Sequence, residues 1–339
     1  MKKGTKTILI IALAFIVAGG ALVLAAFKFC NFKLSDFGTY QYEIKTAEFT
    51  EDITEISVNT NSENVRIVHS SDGKTTFTYP ESERLHYSFI VNESDNHDGY
   101  VLTIKKHIEA KEKPFGIGFY DPEIIVAVPS DCTEMIAVVT SSGEIDVENG
   151  IRAEKVYCNS SSGDITVDAD EVRSELVIKA SSGSVEVTAP ARFITVTTSS
   201  GDIKVENSDY HDVLITSKSG DISMKSVKLD TTAERQRYGL ETTSGSIVLT
   251  DVIGETALSA KTSSGDIILS RTDAESMTFE SSSGDIKGTV LSPKVFSARS
   301  SSGSIKVPEL PEKLPDERCA VTTSSGNIHI EVVESGTTE

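Results

Sequence analysis

Ser161-Ser162-Gly163-Asp164-Ile165 returns further along the chain as Ser263-Ser264-Gly265-Asp266-Ile267, and looser copies stand between and around the two. The glycines of the phrase are Gly143, Gly163, Gly183, Gly201, Gly220, Gly245, Gly265, Gly284, Gly303 and Gly326, spaced 20, 20, 18, 19, 25, 20, 19, 19 and 23 residues apart. A period near 20 points to stacked supersecondary units, because one such unit cannot bury an apolar face alone. Two positions after every one of these glycines stands Ile or Val, from Ile145 and Ile165 to Ile305 and Ile328. Five and seven positions before it the residues are again mostly apolar, as in Val138 and Ile136 or Ile178 and Leu176.

Apolar residues alternating with polar ones on both sides of a Ser-Gly corner describe strands with one buried face. Each unit is therefore expected to be strand, tight corner, strand and return loop. Serine suits the corner by bonding nearby backbone, and glycine by accepting a positive φ without a Cβ clash. The position three before the glycine holds only Thr, Ser or Ala, which suggests an interior that narrows toward the corner. Coils of this length stack most simply as parallel strands, like onto like, at roughly 4.8 Å per coil, giving a rod of about 50 Å. Antiparallel hairpins turning at Ser-Gly are the competing arrangement, but a meander rarely keeps one period and one inward column for so long. The expected fold is all-β: a single-stranded parallel β-helix, or β-solenoid, of roughly ten to fourteen coils after one N-terminal transmembrane helix.

Working outward, residues 136–333 form the regular repeats and 52–135 an irregular N-terminal capping part. Within the latter, Ile56, Val58, Val65 and Ile67 fit the repeat columns with Glu63 in place of the corner glycine, a degenerate first coil. Strands are expected at 75–79, 87–91, 100–105 and 123–128, where they shield the open edge. The segment 30–51 is a polar-leaning connector and 334–339 a frayed acidic tail. The long intervals 220–245 and 303–326 should hold loops that leave the rod, the second containing Pro308, Pro311 and Pro315.

Ile8 to Phe27 is an uncharged apolar stretch preceded by Lys2, Lys3 and Lys6, long enough to cross a bilayer as one helix. An uncleaved signal anchor over 8–29 is expected, with residues 1–7 in the cytoplasm and the solenoid outside. No small-x-small cleavage site precedes Phe27, and Phe27-Lys28-Phe29 before Cys30 fails a lipoprotein pattern. The first 33 residues hold five lysines and no acid, which leaves 27 basic and 51 acidic side chains beyond them, a formal charge of −24. Such a body repels nucleic acid, so nucleic-acid binding is rejected.

The corner acids Glu144, Asp164, Asp202, Asp221, Asp266 and Asp285 invite a calcium-ladder reading. Ser184, Ser246, Ser304 and Asn327 fill the same column, however, and side-chain capping of the turn explains all of them, so no metal or other cofactor is expected. His69, His86, His97, His107, His211 and His329 show no ligand spacing, and no Gly-x-Ser-x-Gly elbow occurs. Cys158 and Cys319 occupy inward columns and are expected free and buried, without a disulfide framework. Lys113 to Tyr120 stands apart: Phe115, Ile117, Phe119 and Tyr120, loosened by Pro114, Gly116 and Gly118, either fold over the open end of the core or touch a membrane or partner. No catalytic constellation emerges.

A membrane anchor followed by Ser-Ser-Gly-Asp-Ile repeats (Ser161–Ile165, Ser263–Ile267) resembles the bacterial putative-adhesin family that includes LiaG-like envelope proteins, over roughly residues 50–333. The resemblance implies a parallel β-helix at the cell surface of mostly Gram-positive bacteria, with no binding residues to carry over. The function expected is non-enzymatic: an adhesive, structural or envelope-sensing role, with an envelope protein or glycan as partner. The alternative is a surface polysaccharide-processing β-helix enzyme.

Overall fold

The structure is a computed structural model that describes residues 42–82, 85–95, 98–108, 123–129, 133–229, 238–254, 257–309 and 315–333. The expected anchor and the Phe115–Tyr120 segment lie outside the described residues. None of the described residues forms a helix long and apolar enough to cross a membrane.

All described secondary structure is strand, 27 strands in chain order. The first nine are β1 (Glu43–Phe49), β2 (Ile53–Asn59), β3 (Asn64–His69), β4 (Thr75–Glu81), β5 (Leu85–Glu93), β6 (Tyr100–Ile108), β7 (Glu123–Val128), β8 (Thr133–Thr140) and β9 (Ile145–Val147). Regular coils run from β10 (Arg152–Ser160) to β21 (Ile267–Thr272). The chain closes with β22 (Ser276–Ser281), β23 (Ile286–Val290), β24 (Val295–Ser300), β25 (Ile305–Lys306), β26 (Arg318–Thr323) and β27 (Ile328–Val332). The coil strands pair in parallel and in register: Ile165 stands between Ile145 and Val185, and Ile222 between Ile203 and Ile247. The inward Ile/Val column thus becomes a continuous ladder whose mid-rod members, such as Ile165 and Ile222, are fully buried. Antiparallel hairpins are excluded for these coils.

Stack order departs from chain order at both ends. β2 pairs with both β6 and β8, and β3 with both β7 and β9, so the first coil of the chain is the second coil of the rod. At the far end β26 lies between β22 and β24, and β27 between β23 and β25. The last coil of the chain is therefore the last but one of the rod. Like-onto-like stacking holds for the middle alone. At each end a neighbouring coil covers the chain-terminal coil, so β2 and β3 at one end and β26 and β27 at the other are each paired on both sides.

Beyond β6 and β7 the N-terminal end is antiparallel: β5 pairs with β6, β4 with β7, and β1 with β4. The stretch expected as a connector, 30–51, thus carries β1, because Phe49 joins Phe77, Tyr79, Tyr87 and Phe89 in a ring cluster with centroids 5.0–5.7 Å apart. That cluster closes the end of the core. Cys158 and Cys319 are free and buried, and burial pushes both thiols up to about 12.

Candidate functional site

The repeated corner is the feature that the coils from Gly143 to Gly326 share, and its chemistry differs from the sequence expectation. None of the ten corner glycines has a positive φ. A Cβ added at any of them would instead lie 1.8–2.1 Å from the carbonyl oxygen of the corner residue one coil toward the N-terminal end. Glycine is required because backbone stacks on backbone at the corner, with no room for a methyl group between. Glu63 takes the corner place one coil outward from Gly143, whose added Cβ would lie 1.8 Å from the Glu63 carbonyl oxygen. Its buried carboxylate pairs with Lys106 and accepts from the backbone N–H groups of Asn61 and Ser62. The positive φ falls six residues beyond the corner, in successive coils at Asn207, Ser226, Asp251 and Arg271 (φ 51–53°).

The Ser/Thr column three residues before the glycine is a hydrogen-bonding device as well as a small one. Thr242 Oγ1 accepts from Gly245 N–H (3.2 Å) and donates to the carbonyl of Gly220 in the coil before (3.0 Å). Ser160, Thr262, Ser281, Thr323 and Ser300 repeat the pair of bonds, with hydroxyl-to-carbonyl distances of 2.8–3.3 Å. Ala180 breaks the column and offers no hydroxyl.

The acids after the glycine act between coils. Asp164 Oδ1 accepts from Ser184 N–H (2.7 Å), Asp221 Oδ1 from Ser246 N–H (2.7 Å), and Asp285 Oδ1 from Asn327 N–H (2.7 Å). Asn327 does the same for Ser304. The expectation of side-chain capping within each turn is corrected accordingly: each acceptor caps the following coil in the stack, which Asp and Asn do equally well. Among the described residues no group of His, Cys, Asp and Glu is arranged to hold a metal ion.

Outside these buried contacts the corner presents a pair of polar residues per coil, mostly Ser-Ser, such as Ser161-Ser162, Ser181-Ser182 and Ser282-Ser283, with Lys218-Ser219 the departure and nearly all of these positions exposed. Parallel register turns them into two hydroxyl-rich columns along one edge, repeating at about 4.8 Å. On another edge, a cleft of about 210 Å³ is lined by Glu171, Arg173, Arg192, Asp209, Tyr210 and His211. Arg173 faces Glu171 at 3.5 Å, and Arg192 lies over the Phe193 ring. Sequence reading missed this cleft, although Arg173, Arg192 and His211 recur at the repeat's own spacing of 19 residues at the start of three stacked strands, because the columns were read only close to the corner glycine.

Parallel coils, glycine-stacked corners and an inward Ile/Val ladder define a β-solenoid of the Ser-Gly-corner type. The family model described as Toastrack DUF4097 matches residues 53–236 and again 193–339, and the chain belongs to that family. Among solved structures it is similar to a "putative adhesin" of Parabacteroides distasonis, with 17% identity over 87% of this chain and 98% of that one and a TM-score of 0.48. A second "putative adhesin", of Parabacteroides merdae, shows 14% identity over 86% of this chain and 96% of that one, with a TM-score of 0.47. A "putative lipid binding protein" of P. distasonis shows 14% identity over 87% and 99%, with a TM-score of 0.45. No protein of curated function matches the chain in sequence.

Proposed function

We propose that the chain is a non-enzymatic, membrane-anchored surface solenoid with an adhesive, structural or envelope-sensing role, in the manner of the LiaG-like proteins its repeats resemble. The observation that carries this reading is the pair of exposed serine-rich columns in register along one edge of the rod. A surface with a short regular repeat complements a ligand that is itself repetitive, and an envelope glycan fits that description better than a compact small molecule.

Ile8–Phe27 would hold the rod to the membrane, with Lys2, Lys3 and Lys6 on the cytoplasmic side and the solenoid outside a Gram-positive type of cell. Phe115, Ile117, Phe119 and Tyr120 would then supply a contact with the membrane or a partner. The enzymatic alternative, polysaccharide processing, would place its chemistry in the cleft lined by Glu171, Asp209, Arg173 and Arg192. Purified protein incubated with envelope glycans separates the readings. Saturable binding without shortening of the polymer supports the proposal, and depolymerisation that is lost in Asp209→Asn overturns it.

A further inference from the structure

Lys294 is the one fully buried lysine among the described residues, and it lies where the C-terminal coil is inserted. It immediately precedes β24 in the outermost coil. In the ladder, Val295 stands opposite Arg318 and Arg318 opposite Ser276, so Lys294 is level with Glu317 of the inserted coil and Glu275 of the coil beyond. Its side chain crosses the inserted coil: Nζ donates to the carbonyl of Ala274 at 2.8 Å and lies 2.6 Å from Asp273 Oδ1. Nζ also contacts Glu317 Oε2 and, at 2.9 Å, the hydroxyl of Ser292. Ser292 Oγ in turn lies 3.1 Å from Asp273 Oδ1 and 2.5 Å from Glu317 Oε2, placed to donate its one proton to either.

A buried amine held against two carboxylates of unequal surroundings is the arrangement that condensation requires. Proximity replaces the entropy that makes amide formation from separate groups slow. Asp273 is the more buried acid, its side chain 19% exposed against 39% for Glu317. Burial works against the charged form of Glu317, yet Lys294 and Ser292 outweigh it and hold its carboxyl below the usual range, so it stays ionised and able to accept a proton.

We propose that Lys294 and Asp273 join in an intramolecular amide bond, with Glu317 as the proton carrier. One proton passes from the ammonium to the Asp273 carboxylate, leaving a neutral amine and a neutral acid. Lys294 Nζ then attacks Asp273 Cγ. Glu317 takes a proton from the nitrogen and delivers it to the departing hydroxyl, which leaves as water. Glu317 ends as it began, and ammonium plus carboxylate has become amide plus water with no external reagent. The bond would tie the outermost coil to the coil beyond the inserted one, so that β26 and β27 could not slip from between them.

The test is the intact mass of the full-length protein, denatured, with Lys294→Met and Glu317→Gln beside it. The proposal expects wild type lighter than its sequence mass by one water and both variants at their full sequence mass. After trypsin, residues 272–287 and 288–299 should remain joined through Asp273 and Lys294. Wild type at full sequence mass leaves only a buried ion pair and overturns the proposal. So does a water loss that survives in Lys294→Met, since the loss then lies elsewhere. Both readouts are covalent and hold whether or not a variant folds.

Discussion

At one end of the rod the Ile/Val ladder runs under antiparallel strands and a cluster of five aromatic rings; at the other it stops in the open. The inward column shows the difference directly. Ile145, near the N-terminal end, is 1% exposed, whereas Ile305 in the outermost C-terminal coil is 45% exposed. β24 and β25 each have a partner strand on one side only among the described residues. Yet Ile328, closer to the C-terminus in sequence, is 1% exposed because its coil lies inside. Exposure follows place in the stack, and place in the chain is a poor guide to it.

The largest effect expected from that contrast is at the corners. Gly201→Ala sets a methyl group 1.9 Å from the Gly183 carbonyl with coils packed on both sides, so the stack must part there. It should lower stability by about 4 kcal/mol or prevent folding. Gly303→Ala meets the Gly326 carbonyl at 1.8 Å, but its coil is outermost and can swing away, at a cost nearer 1 kcal/mol. Denaturant midpoints of the two variants measure the difference, and equal losses would remove the distinction between middle and open end.

The next effect is aromatic. Phe77 is fully buried under the antiparallel cap, whereas Phe296 is half-buried at the open end. Phe77→Ala should cost about 3 kcal/mol and Phe296→Ala about 1 kcal/mol, read as shifts in thermal midpoint. The smallest effects come from the hydroxyl column. Thr242→Val strands the Gly245 N–H and the Gly220 carbonyl, for a loss of about 2 kcal/mol. Ala180→Ser fills the gap in the column and should raise stability by about 1 kcal/mol. A destabilised Ala180→Ser variant would mean that this coil has closed over the missing hydroxyl.

Periodicity made the coils legible, because ten corners share one inward column and only a parallel stack keeps such a column buried. The reason for the glycine was not legible: a positive φ and a touching neighbour backbone select the same residue, and only the stacked coils distinguish them. Position −3 was visible as Thr, Ser or Ala, but size and hydroxyl function coincide in that set. Gly288, which interrupts the apolar position four after the corner, has φ 137° and would meet the Leu269 carbonyl at 1.8 Å if it carried a Cβ. The stack order was hidden most deeply. The coils at Gly303 and Gly326 carry the same columns in either order, and Lys294, which ties them together, looks in sequence like an ordinary charged residue before a strand. The cleft at Arg173, Arg192 and His211 keeps the repeat's spacing of 19 residues, but its side chains differ from coil to coil, so no column of one residue type marked it.

Hydrogen–deuterium exchange resolved to single strands tests the interleaved rod most directly. Backbone amides of β26 and β27 are held between two neighbouring coils, whereas β24 and β25 have a partner strand on one side only among the described residues. Ile328–Val332 should therefore exchange more slowly than Val295–Ser300 despite lying nearer the C-terminus. Exchange that instead quickens steadily toward the C-terminus, with Ile328–Val332 fastest, would contradict the inserted coil and restore a stack that follows the chain.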